Sequence, residues 1–165
     1  MLLVTGITGH SGTYFLQEMI DRKYEGSIRC IVRSSSNTSL IDNSELKIQK
    51  VIGDLNDWNF IDKSMIGVDT VLHIGAIYYS VKVMKAAVKN NVKRVILVHT
   101  TGIYSKYKSA SEEYKQIEAK IQQIVTGSRS PIGVTILRPT MIYGNINDRN
   151  MAVFIKMVDK LRLFP

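Results

Sequence analysis

The sequence predicts an α/β domain: a parallel, doubly wound sheet of about six or seven strands with helices on both faces. Three observations carry this expectation. Short β-rich runs alternate with helical patterns along the chain. The first run, Met1 to Thr5, breaks at a glycine turn, Gly6-x-x-Gly9-x-x-Gly12, and passes into apolar residues at helical spacing, Tyr14, Phe15, Met19 and Ile20. No linker and no short repeat divides the 165 residues, a length that suits one domain with a substantial core. Strands separated by helices pair in parallel. Right-handed crossovers then put a ligand at the carboxyl ends of the first and fourth strands.

The elements follow in order. A strand over 1–5 leads through the glycines to a helix over 11–22. The run IRCIVR, 28–33, reads as the second strand, and the polar stretch after it as a loop with a short helical turn. A third strand is expected over 46–52 and a helix over 56–65, with Asp54 or Asn56 as its cap. The fourth strand spans 70–74. Its helix, 80–90, carries Val81, Met84, Ala87 and Val88 on one face. The fifth strand is 94–99. After the loop TTGIYSKYKSAS comes a helix over 111–125, with Ser109 and Glu112 at capping-box spacing and a stripe of Tyr114, Ile117, Ile121 and Ile124. The sixth strand, 133–137, closes at Arg138-Pro139, and a last helix occupies 150–161.

Composition narrows the function classes. Apolar content of 45% and charged content of 22% are those of a soluble globular protein, and no apolar run approaches membrane-spanning length. No basic n-region precedes the first strand, so a signal peptide is not expected. Cys30 is the single cysteine and reads as a buried, inert thiol; a reducing, cytoplasmic setting fits. The net charge is +8, but Lys and Arg are scattered, with only small clusters such as Lys106, Lys108 and Lys115. Without an aromatic-interleaved basic motif, the charge reads as attraction for phosphorylated small molecules and not as a nucleic-acid surface. His73 and His99 end strands with no Cys, His or Asp cluster at metal spacing, so no metal is assigned. A serine hydrolase is excluded by the lack of a G-x-S-x-G elbow.

The glycine turn carries the chemistry. A strand, a tight turn and a helix N-terminus present backbone N–H groups and partial positive charge to a dinucleotide pyrophosphate. Each glycine has a mechanical role: the turn, close approach to phosphate, and helix–strand packing. The candidate contacts are Gly6, Thr8, Gly9, His10, Ser11 and Gly12. The end of the second strand decides the adenosine ribose. An acidic residue there would accept from the 2′-OH of NAD; this chain has Arg33 followed by Ser34, which suits the 2′-phosphate of NADP, with NAD as the alternative.

The pattern TGITGHSG, together with VIGDL at 51–55, VLHIGA at 71–76, VKRVILVHTTGIY at 92–104 and ILRPTMIYG at 136–144, resembles the extended and atypical short-chain dehydrogenase/reductases. These are the NAD-dependent epimerase/dehydratase group and its NmrA-like relatives, whose fold is the Rossmann fold. The resemblance implies that Asp54 and Leu55 frame the adenine. It puts Gly75 and Ala76 beside the cofactor, and Pro139, Thr140 and Ile142 along the nicotinamide. Thr100 or Thr101 takes the place of the family's catalytic hydroxyl. The family pairs a Tyr with a Lys one helical turn later, where the ammonium lowers the phenol pKa and holds the nicotinamide ribose. Lys115 best matches that Lys, but Ser111 stands four residues earlier where the Tyr would be. Tyr104 and Tyr114 are the alternative proton donors. Tyr114 also reads as part of the apolar stripe.

The resemblance implies hydride transfer on a small carbonyl, hydroxyl or nucleotide-sugar substrate, the cofactor supplying the chemistry. The alternative is a non-catalytic dinucleotide sensor of the NmrA-like kind, which the serine at 111 favours. A smaller substrate-binding region normally follows the last strands of such domains and would only be beginning at LRLFP, 161–165. The family often dimerises through the helices after the fourth and fifth strands. The stripes around Met84 and Ile117 suit either that contact or the core.

Overall fold

Leu2–Thr5, an apolar run stopped by a glycine, forms β1 inside a six-stranded, all-parallel sheet. The computed structural model describes residues 1–106, 108–144 and 151–162. After β1 come α1 (His10–Asp21), β2 (Ile28–Val32), α2 (Ser39–Asp42), β3 (Ile48–Ile52), α3 (Trp58–Ser64), β4 (Thr70–His73), α4 (Ser80–Lys89), β5 (Arg94–Val98), α5 (Lys108–Thr126), β6 (Gly133–Leu137) and α6 (Met151–Leu161). The strand order is β3-β2-β1-β4-β5-β6. This is the expected doubly wound Rossmann order. The chain reverses direction across the sheet between β1 and β4, and a crevice opens at their carboxyl ends.

Period-two alternation divides the core between the two faces. Leu3, Val71, Val95 and Leu97 pack against Ile61 and Met65, against Met84 of α4, and against Ile117 and Ile121 of α5. On the other face Val4, Ile28, Cys30 and Val32 meet Leu16 of α1 and Ile41 of α2. Met84 and Ile117 are therefore core residues of the single chain. Burial pushes the Cys30 thiol up to about 12, which makes it the inert thiol expected. Arg29 donates from Nη1 to the carbonyls of Ser64 and Ile66, at 2.7 and 2.8 Å, and so satisfies the C-terminal end of α3.

Several boundaries differ from the sequence expectation, each for a local reason. Helix α1 starts at His10, because Gly9 is the extended N-cap with ψ of 175°. Asp57 caps α3, accepting from Phe60 N at 3.2 Å. Asp54 is not a cap: its carboxylate accepts from Asn56 N at 2.7 Å in an Asx turn. Helix α5 begins at Lys108, which puts Ser109 within its first turn. The Ser109 side chain and Asn150 lie outside the described residues. Among the described residues no helix is long and apolar enough to cross a membrane.

Candidate functional site

The carboxyl ends of β1 to β4 open into a cleft of about 270 Å³. Its floor is the glycine turn. Gly6 has φ of +76°, and a Cβ there would lie 2.6 Å from Gly75 N, so both the conformation and the space require glycine. Gly9 N–H bonds back to Gly6 O at 3.0 Å, and α1 then starts. No side chain caps α1, and no acidic residue lies in its first turn, so its N-terminal dipole faces the cleft without a neutralising group of its own. A Cβ on Gly12 would stand 2.1 Å from Gly6 O. The helix can press onto the turn only with a glycine there.

Arg33 from the end of β2 forms one wall, with Asp54 and Leu55 after β3 and Gly75 and Ala76 after β4. The polypeptide turns tightly after Arg33: Ser36 N donates to Arg33 O at 3.0 Å, and Ser36 Oγ accepts from Arg33 N at 3.1 Å. That turn brings Ser36 to the cleft and leaves Ser34 exposed outside it. Of the expected cofactor residues, Gly6, Thr8, Gly9, Arg33, Asp54, Leu55, Gly75 and Ala76 line this cleft. His10, Ser11 and Gly12 form the first turn of α1 behind it. Tyr79 also lines it, unforeseen from sequence. Its hydroxyl accepts from Asn56 Nδ2 at 3.4 Å, a contact that only the pairing of β1 between β2 and β4 creates.

A second, more open cleft of about 480 Å³ lies at the ends of β5 and β6. Thr100 and Thr101 form one side, and Pro139, Thr140 and Ile142 the other. The hydroxyls differ in what they can still do. Thr101 Oγ1 donates to Pro139 O at 3.4 Å, whereas Thr100 Oγ1 accepts from Gly102 N at 3.0 Å and, among the described residues, keeps its own proton to donate. The segment after β6 runs back to α1, where Tyr14 donates to Gly144 O at 3.4 Å.

The three remaining candidates line neither cleft. Tyr104 is 73% exposed. Tyr114 is half-buried; its ring lies beside Gly102 and 6.3 Å from the ring of Tyr78. Lys115 is exposed and pairs with Glu112 at 2.9 Å. Ser111, at the place of the family's Tyr, is buried.

The two strand-end histidines have ordered partners. His73 is fully buried, and burial pushes its pKa down to about 4. Its Nε2 bonds the Ala76 carbonyl at 3.2 Å and must carry the proton; its Nδ1 therefore accepts from Thr5 Oγ1 at 2.5 Å. His99 sits between Ser80 Oγ and Glu118 Oε1, each at 3.0 Å, and Glu118 also pairs with Arg138. Burial lowers the His99 pKa against the opposing pull of Glu118. Burial works to raise Glu118, but the hydrogen bonds from Arg138 and His99 prevail and hold it below the usual carboxylate value. The Ser80–His99–Glu118 order is that of a nucleophilic triad, yet Ser80 is fully buried and lines neither cleft. The network ties the ends of β5 and β6 to α4 and α5. Its signal in the sequence is only a set of polar residues at buried positions.

The sequence model of a family described as NAD(P)H-binding matches residues 6–157. The N-acetyl-alpha-D-glucosaminyl-diphospho-ditrans,octacis-undecaprenol 4-epimerase of Escherichia coli O157:H7 is 26% identical over 136 residues, which is 65% of this chain and 41% of that protein. A double mutant of DesIV, the dTDP-glucose 4,6-dehydratase of Streptomyces venezuelae, solved with NAD and DAU bound, has a TM-score of 0.72 at 19% identity. It is matched over 97% of this chain and 62% of its own. The triphenylmethane reductase of Citrobacter sp., complexed with NADP(H), has a TM-score of 0.68 at 22% identity, over 87% of this chain and 50% of its own. At these identities the structures share the fold. The chain spans between 41% and 62% of the length of these relatives. With the family match running from the first glycine of the turn into α6, the chain belongs to the NAD(P)H-binding family, with the architecture of the epimerase-like short-chain dehydrogenase/reductases.

Proposed function

We propose that this chain is the dinucleotide-binding part of an NAD(P)-dependent oxidoreductase or epimerase/dehydratase-like enzyme acting on a small carbonyl, hydroxyl or nucleotide-sugar substrate. The observation that carries the reading is the Gly6 turn under an uncapped α1, facing Arg33 and Asp54 across one cleft. The residues fit an anionic dinucleotide. The turn leaves no room for a Cβ, and among the described residues the charged side chains lining the cleft are Arg33 and Asp54. When bound, the nicotinamide supplies or accepts the hydride.

In this reading the backbone from Gly6 to Gly12 binds the pyrophosphate. Arg33 and Ser36 hold the adenosine ribose and favour the 2′-phosphate of NADP, while Ser34, exposed outside the cleft, is given no part. Asp54 and Leu55 frame the adenine, while Pro139, Thr140 and Ile142 flank the nicotinamide. Thr100 donates its free proton to the substrate oxygen, and Tyr114 is the phenol next to it. Lys115, turned to Glu112, is given no part.

Titration of NADPH and NADH by nicotinamide fluorescence tests this. Both are expected to saturate, NADPH more tightly. Arg33→Glu is expected to weaken NADPH by roughly tenfold and NADH by far less. No saturable binding of either would overturn the reading; tighter NADH would overturn the NADP preference alone. Ser111 and the outward Lys115 favour a second reading, a dinucleotide sensor. Cofactor binding with no turnover across a carbonyl-substrate panel is its expected result.

A further inference from the structure

We infer that the buried Thr5–His73 pair is a positioning clamp for the dinucleotide pyrophosphate, holding the turn after β4 against the glycine turn after β1. The inference rests on the dinucleotide reading above and adds residues that touch neither cleft.

Thr5 and His73 are register partners in the parallel β1–β4 pair, so their side chains project from the same face of the sheet. Below them on that face are Leu3 and Val71, both fully buried in the larger core cluster. The two polar side chains are themselves fully buried, and they terminate an otherwise apolar column at the carboxyl ends of the two strands.

Their hydrogen bonds form a directed series. The Thr5 hydroxyl donates to His73 Nδ1 at 2.5 Å, and His73 Nε2–H donates to the Ala76 carbonyl at 3.2 Å. The same carbonyl accepts from Tyr79 N at 3.0 Å, so the clamp fixes the peptide that leads into α4. The Gly75 backbone rests directly on the pair. A Cβ at Gly75 would lie 3.2 Å from both His73 Cε1 and Thr5 Oγ1. Gly75 in turn abuts Gly6, whose own Cβ would lie 2.6 Å from Gly75 N. The contacts therefore run from the hydroxyl and imidazole through Gly75 to Gly6, and Gly6, Gly75 and Ala76 all face the cleft.

The Thr5–His73 hydrogen bond thus supports, from beneath, the spacing of two opposing backbone walls whose strands are also joined by the bond from Ile74 N to Thr5 O at 3.0 Å. Only backbone amides in a fixed relation can share a pyrophosphate, whereas the adenosine end rests on Arg33, Asp54 and Leu55, which belong to other strands. Loss of the clamp should act on the pyrophosphate and spare the adenosine end.

Thr5→Val keeps the shape and removes the donor; Thr5→Ser restores it. The wild type and both variants, verified as folded by circular dichroism, are titrated with NADPH and with adenosine 2′-phosphate, which has no pyrophosphate. Thr5→Val is expected to weaken NADPH by roughly tenfold and adenosine 2′-phosphate by less than about threefold, with Thr5→Ser within about threefold of wild type for both. The inference is overturned if Thr5→Val binds NADPH like wild type. It is equally overturned if both ligands are lost in proportion, or if Thr5→Ser fails to rescue. A wild-type chain that binds neither NADPH nor NADH overturns the dinucleotide reading instead.

Discussion

Burial sets the behaviour of His73 with pH. Its imidazole is held neutral down to about 4, while in an unfolded chain it would take a proton near 6.5. Between these values the unfolded state binds more protons than the folded state, so stability rises with pH and is lost as pH falls through the window. The loss from this group amounts to up to about 3 kcal/mol. His99 shifts in the same direction, whereas Glu118, Asp42, Asp62 and Asp69 are all lowered and act below pH 4.5. Urea midpoints at pH 7 and 4.5 should therefore fall steeply for the wild type and distinctly less for His73→Asn. Equal slopes would show that His73 is not the group concerned. The role of this residue was not legible in the sequence. Its partner is 68 positions away, and only strand register brings Thr5 beside it. Arg33 and Asp54 were legible because each follows its own strand directly, where chain order alone determines position.

At the scale of elements, the junction of β1 and α1 is the tightest packing in the site. A Cβ on Gly12 would meet Gly6 O at 2.1 Å and Ile7 Cα at 2.5 Å, both backbone atoms that cannot move without opening the turn. Gly12→Ala is expected to cost about 3 kcal/mol or more and to abolish measurable NADPH binding. A thermal melt alongside the fluorescence titration checks both, and an unshifted melt would contradict the packing argument. This junction could be read from sequence because three glycines at fixed intervals between a strand and a helix leave few other geometries. Helix α5 was harder to read. Its buried residues, Ser111, Ile117 and Ile121, with Glu118 mostly covered beside them, define the inward stripe. Lys115 falls on the flank of that stripe, roughly a quarter-turn from its centre. The motif match names Lys115, while the helix phase turns it toward Glu112. The second cleft was partly legible as well. Both of its walls were named from sequence, but the different duties of the Thr100 and Thr101 hydroxyls come from their bonds to Gly102 and Pro139.

Across the whole molecule, strand order converts local motifs into one site. With β1 between β2 and β4, the glycine turn, Arg33, Asp54 and Gly75 meet at one end of the sheet, and β5 and β6 extend that end into the second cleft. The net charge of +8 acts on this edge as a long-range attraction for an anionic ligand. Salt separates this general attraction from a specific ion pair. NADPH carries about two more negative charges than NADH, on the 2′-phosphate. If only the overall field mattered, salt would weaken both ligands, with NADPH the steeper whatever stands at position 33. If Arg33 pairs with the 2′-phosphate, most of that extra steepness belongs to one residue. Raising salt from about 50 to about 500 mM should then weaken NADPH roughly tenfold and NADH roughly threefold, and Arg33→Ala should bring the two slopes together. Slopes that stay apart in Arg33→Ala would assign the discrimination to the scattered surface charge. The comparison turns on Arg33 because it is the charged side chain at the end of β2 that lines the cleft, where the 2′-phosphate of a dinucleotide laid along the strand ends would arrive.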